Sequence, residues 1–192
     1  MPPLPPLHHE EAAQLLAFLE AQRHAVRIAA HGLTDDQART AASASSLTIG
    51  GLIKHLTSTE HNWVAIISDP GHDWGDPSAY QDAYTMGPGE TLADLLSAYE
   101  KVGAETESLI AGVKLDDEVP VPPHIPFFPK DLPCWTVRWV LLHLIEETAK
   151  HAGHADIVRE SVDGATFFPL QAAVEGWAPT PWLQPWKPLA TN

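Results

Sequence analysis

Residues 146–160 read EETAKHAGHADIVRE, and within them Glu147, His151 and His154 recur at helical spacing. At about 100° per residue these three, with His143, fall in a stripe roughly 80° wide, shared with Val140, Leu144, Ala155 and Val158. The apolar members mark that stripe as the side facing the protein interior. A glutamate and several histidines are costly to bury there unless they are paired or bind an ion. Glu147 and His151, at i and i+4, emerge one turn apart and reach a common point. Glu–His pairs at this spacing are also common on ordinary helices, so a metal site here needs a third ligand from another helix.

The best candidate for the third is His55, within SLTIGGLIKHLTSTEHNW (Ser46–Trp63). On a helix it shares a face with Thr48, Gly51, Leu52, Thr59, Trp63 and Ile66, the side that turns toward the core. Gly51, one turn earlier, leaves room for a neighbouring helix or a ligand. From its own position alone, His55 reads more readily as a hydrogen-bonded core histidine than as a ligand. His143, one turn deeper on its helix, reads as structural. Asp156 and Arg159 project to other faces, where salt-linked contacts are expected. His8, His9, His61, His72 and His124 read as solvated or loop histidines, and Trp63, Trp74, Tyr80 and Tyr84 as core or as the wall of a pocket.

Four long segments must position these groups. From about Glu10 to His31, apolar residues at Leu15, Leu16, Phe18, Leu19, Val26 and Ile28 precede Gly32, a C-cap signal. Thr34 with Gln37 forms a capping-box pattern for a short helical turn. A second long helix is predicted from Ser46 or Thr48 to Ser68, ended by Asp69-Pro70-Gly71. Residues from about Gly71 to Glu90 read as a long irregular loop of the kind that often carries function. Thr91 with Asp94 opens a third helix that runs to about Ala111, where Gly112 closes it.

Six prolines between Val119 and Pro133 then force an extended, stiff crossing. The fourth helix is predicted from Trp135 to Val162, with a stop at Asp163-Gly164. No strand alternation or repeat is visible. The last segment holds three of the seven tryptophans among prolines, and such large apolar groups are expected to pack rather than face water. The predicted fold is all-α. It comprises a four-helix bundle with long crossover connections over residues 8–165 and a Pro/Trp-rich extension, 166–192, packing on the bundle or on a partner. The second arrangement would make a homodimer.

A formal charge of −14, from 25 acidic and 11 basic residues, repels phosphate backbones and anionic lipid, and no basic stripe offsets it. Nucleic acid is therefore excluded as an expected partner. No window approaches the roughly 18 apolar residues of a membrane span, and no signal-peptide pattern opens the chain. The lone Cys134 precludes an internal disulfide framework, which fits a reducing cytoplasm. No activating base adjoins its thiol in sequence.

The segments SLTIGGLIKHLTSTEHNW and TVRWVLLHLIEETAKHAGHADIVRESVDG, with FLEAQRHAVRIAAHGLTDDQA before them, resemble the DinB-like bundle superfamily over about residues 10–165. Within it they are similar to the branch of mycothiol-dependent maleylpyruvate isomerases and thiol S-transferases. The resemblance implies a four-helix core with one divalent metal, zinc first and nickel second. It also implies three ligands: the His of GGLxxHL and the Glu and His of ExxxHxGHxD, which are His55, Glu147 and His151 here. Many DinB proteins have His at the position of Glu147, and the carboxylate is the variant of the thiol-dependent branch.

Two imidazoles and a carboxylate suit zinc and leave a coordination position open, as at catalytic sites. A thiol there would lose its proton and attack electrophiles as a thiolate. His154 falls within reach of that position, as a general base, as a partner that orients a ligand, or as a packing residue. The expected activity is metal-dependent transfer or isomerisation in which a small thiol such as mycothiol attacks a small electrophile. The alternative is a non-catalytic metal-containing protein that binds a small ligand with the same three residues.

Overall fold

The protein is described by a computed structural model covering residues 4–75, 80–123, 125–126 and 128–188. His124 and the side chain of Tyr80, both considered above, lie outside the described residues. Four long helices carry the core: α1 (Glu11–Ala30), α3 (Ile49–Ser68), α5 (Leu92–Ile110) and α6 (Val137–Asp163). Between them lie two single-turn helices, α2 (Asp35–Ala38) and α4 (Tyr80–Ala83). The architecture is the expected all-α bundle: α6 packs against α1 and α3, and α5 closes on α3.

Local chemistry accounts for the helix starts. Thr34, Thr48, Thr91 and Thr136 each accept a hydrogen bond from a first-turn backbone N–H, and Thr34 with Gln37 completes a capping box. Gly164, at φ 77°, ends α6 in the left-handed conformation that glycine adopts without penalty. The start of α6 falls two residues later than Trp135, because Cys134–Thr136 pairs as strand β2 with β1, Glu118–Pro120, in an antiparallel register that sets Val119 against Trp135. This small sheet corrects the expectation of no strands. Each strand is only three residues long, too short for alternation to register among prolines.

The tail, expected as a Pro/Trp-rich extension packing on the bundle or a partner, contains a helix, α7 (Phe167–Val174). Pro169 sits in its first turn, where a missing N–H costs nothing. Leu170 packs with Ile28 and Ala165 against the back of α1. Farther on, Trp186 lies over the guanidinium of Arg159, 4.9 Å from ring centre to Cζ. Arg159 is fully buried, pairs two-pronged with Asp163, and donates to the carbonyls of Ala29 and His31 at 2.8 and 2.7 Å. It thereby satisfies the carbonyl end of α1.

Two polar features interrupt the core. Arg23 of α1 forms a forked pair with Glu60 of α3, and Thr106 of α5 donates to the same carboxylate, all three being buried. The second is the candidate site on α3 and α6. Below it, Trp63, Trp74, Phe128, Trp135 and Trp139 form an aromatic cluster with centroid separations of 4.9–5.5 Å.

Candidate metal centre

α6 delivers Glu147 and His151 one turn apart, and α3 presents His55 opposite them. Glu147 Oε1 stands 3.3 Å from His55 Nε2 and 3.2 Å from His151 Nε2. Among the described residues, these three form the one cluster of His, Cys, Asp and Glu whose ligand atoms all lie within 4.8 Å of one another. Ligands at tetrahedral zinc distances would be separated by about 3.3 Å; the two spacings to Glu147 match this, and the third pair lies within 4.8 Å. Both histidines are buried and Glu147 is half-buried. Hydrogen bonding to His151, then to His55, holds the Glu147 carboxyl well below the usual carboxylate range against the opposing effect of burial. Its charge is thus retained in the interior, as a ligand requires.

Gly50 and Gly51 explain how a loop reaches the site. A Cβ on Gly51 would lie 2.0 Å from the carbonyl oxygen of Tyr84, and one on Gly50 would lie 2.4 Å from the Met86 sulfur. The absence of side chains lets the 84–86 backbone lie directly on the first turn of α3. Tyr84 is then stacked on the His55 ring at 4.0 Å between centroids, with its hydroxyl 2.9 Å from His55 Nε2. Thr59, one turn along α3, places its hydroxyl 3.4 Å from His55 Nδ1. Tyr84 was a candidate only for a pocket wall. Its contact with a ligand atom has no local signal, since it spans 29 residues of chain.

His154 meets the far side of His151, with Nδ1 to Nδ1 at 3.3 Å. His143 belongs elsewhere: it stacks on Trp139 at 5.3 Å and edges onto Trp63 at 4.5 Å. Trp63 and Trp74 lie in that same cluster. His72 is hydrogen-bonded to Asn62 at 2.9 Å and faces the ring of His61, while His8 and His9 are exposed. Cys134 is a free thiol in β2. Asp156 is half-buried with no ion pair to a neighbouring helix among the described residues, contrary to the salt-linked contact expected of it. No described helix is long and apolar enough to cross a membrane.

Fold and ligand cluster together define a DinB-like bundle with a three-residue site of the kind that holds a divalent metal. The Mycothiol-S-transferase family profile matches residues 14–164, and the chain belongs to that family. No curated protein matches the sequence. Among solved structures, that of a conserved protein from Enterococcus faecalis superposes with a TM-score of 0.63 at 16% identity, covering 82% of this chain and 100% of that one. At that identity the likeness establishes the fold.

Proposed function

We propose that the protein is a zinc-dependent S-transferase or isomerase of the cytoplasm that uses mycothiol, or a thiol like it, against a small electrophile. The observation that carries this reading is the ligand spacing at His55, Glu147 and His151 in a chain of the mycothiol S-transferase family. These three residues would hold the ion. When bound, zinc lowers the pKa of a thiol at its open position, so that the thiol reacts at neutral pH.

The chain's own residues supply the rest. Glu147 keeps a negative charge between the two imidazoles. His154, touching His151 Nδ1, fixes which nitrogen of His151 carries the proton and so aims Nε2 at the ion; in this role it acts as a positioning residue. The Tyr84 hydroxyl, beside His55 Nε2, offers a hydrogen bond next to the position the ion would take.

Cobalt-substituted protein tests the reading. Adding mycothiol should produce a sulfur-to-cobalt charge-transfer band and release a proton. His154→Ala should weaken metal retention by roughly 10–100-fold if it positions His151; unchanged retention with turnover slowed by about 10²–10⁴-fold would make it a general base instead. Absence of the band with mycothiol and with other cellular thiols would defeat the thiol reading and leave a metal-containing ligand-binding bundle.

A further inference from the structure

Tyr84 comes from the connection between α4 and α5, yet its position is fixed from several sides. Met86 is buried against Gly50. Lys54 donates to the Thr85 carbonyl at 3.1 Å and pairs with Glu90 at 2.9 Å, and Arg39 donates to the carbonyls of Gly87 and Glu90. The Tyr84 ring is thereby held beside both imidazole ligands, with its centroid 4.0 Å from that of His55 and 6.1 Å from that of His151.

The direction of its hydroxyl follows from the stack. The Tyr84 and His55 rings are within 16° of parallel, so the hydroxyl, 2.9 Å from His55 Nε2, lies above the imidazole plane. The Nε2 lone pair that would hold the ion lies in that plane. Hydroxyl and ion therefore do not compete for the same side of the nitrogen. Stacking does not account for the hydroxyl, because a phenylalanine would stack on His55 as well. With the ion in place, both Nε2 lone pairs and one Glu147 oxygen are occupied. The atom left for a phenol above Nε2 to meet is the one at the open coordination position.

We propose that the Tyr84 hydroxyl donates a hydrogen bond to the sulfur of the thiol cosubstrate at that position, which makes Tyr84 a catalytic residue. This inference rests on the thiol reading of the metal centre given above. A hydroxyl donates more strongly to a charged acceptor than to a neutral one, so Tyr84 favours the thiolate over the thiol and tightens its binding. The thiol's own proton goes to solvent, and the Tyr84 proton is not transferred. The same bond draws charge from the sulfur and makes it less basic, and nucleophilicity falls with basicity. Tyr84 thus holds the cosubstrate at some loss in the speed of its attack.

The test compares full-length, cobalt-loaded wild type with Tyr84→Phe, which keeps the stacked ring, using mycothiol as the probe. Metal content should be equal in the two. In Tyr84→Phe the sulfur-to-cobalt band should move to longer wavelength, because a thiolate without its donor holds its electrons less tightly. The mycothiol dissociation constant should rise roughly 10–100-fold, as for a lost hydrogen bond to a charged group. Alkylation of the bound sulfur by iodoacetamide, followed as loss of the band at saturating mycothiol, should be no slower than in wild type. Gly51→Ala, whose Cβ would meet the Tyr84 carbonyl, should repeat the band shift. An unchanged band and dissociation constant in Tyr84→Phe overturn the proposal and leave the thiol reading intact. Loss of metal without a band shift overturns it too, by assigning the hydroxyl to the Glu147 carboxylate. Absence of the band in wild type defeats the thiol reading and this inference with it.

Discussion

Replacing Gly51 by alanine should dislodge Tyr84 while leaving the bundle folded. The added Cβ would lie 2.0 Å from the Tyr84 carbonyl oxygen and 2.8 Å from its carbon, both backbone atoms. Restoring ordinary contact requires the 84–86 segment to retreat by about 1.5 Å. That retreat is comparable with the tolerance of a 2.9 Å hydrogen bond, so the hydroxyl loses His55. Overpacking costs about 1–3 kcal/mol, and the helix gains about 1 kcal/mol on exchanging glycine for alanine, for a net loss of about 0–2 kcal/mol. Gly153→Ala is the control, since its Cβ meets no neighbour and the substitution should stabilise by about 0.5–1 kcal/mol. Urea denaturation measures both stabilities, and nitration of Tyr84 followed by mass spectrometry reports whether the ring has left its seat. A Gly51→Ala protein whose Tyr84 is as protected as in wild type, and which gains as much stability as the control, would refute the reasoning.

Removing the ion by chelation should lower the melting temperature without unfolding the protein at room temperature, because the ligands join only α3 and α6 and the apolar core remains; circular dichroism with and without chelator checks this. Glu60→Ala should cost about 3 kcal/mol, since it removes the forked partner of the buried Arg23 guanidinium and leaves only the more exposed carboxylates of Glu20 and Glu107, at 3.4 and 3.7 Å, whereas the double change Arg23→Met with Glu60→Leu should recover most of the loss in denaturant titrations. Asp156→Asn should raise the melting temperature by about 3 °C at pH 7.5 and not at pH 4. The Asp156 carboxyl titrates at about 6 in the fold, above its unfolded value, so its favourable contribution is present below about pH 4 and lost as the pH rises through 6. Discounted for the exposed half of the group, the effect is on the order of 1 kcal/mol.

The sequence exposes what repeats along a helix. Glu147, His151 and the apolar residues around them share one stripe, and His55 shares its face with Leu52 and Ile66, so the α6 and α3 contributions were both legible, as were the threonine starts at 34, 48 and 91. What joins distant pieces of chain was not. Tyr84 reaches His55 from a loop whose course is set by two glycines on another element. Arg23 and Glu60, 37 residues apart in sequence, meet only when the bundle closes. His143 shows the limit of face arguments, since it lies on the same stripe as Glu147 and His151 yet is drawn into the tryptophan cluster by Trp139 and Trp63. The helix α7 was obscured by Pro169, which signals a break in mid-helix and is harmless in a first turn.

The seal on Arg159 has a consequence for the order in which the chain is made. The carbonyls at the end of α1 and the guanidinium that satisfies them lie 130 and 128 residues apart in sequence, and the ring that covers the guanidinium comes from Trp186. During synthesis this corner cannot close until residue 186 has left the exit tunnel, so the last turn of α1 stays open to water after all four long helices have emerged. Closure of the corner, rather than formation of the four helices, is then the event that completes this end of the bundle.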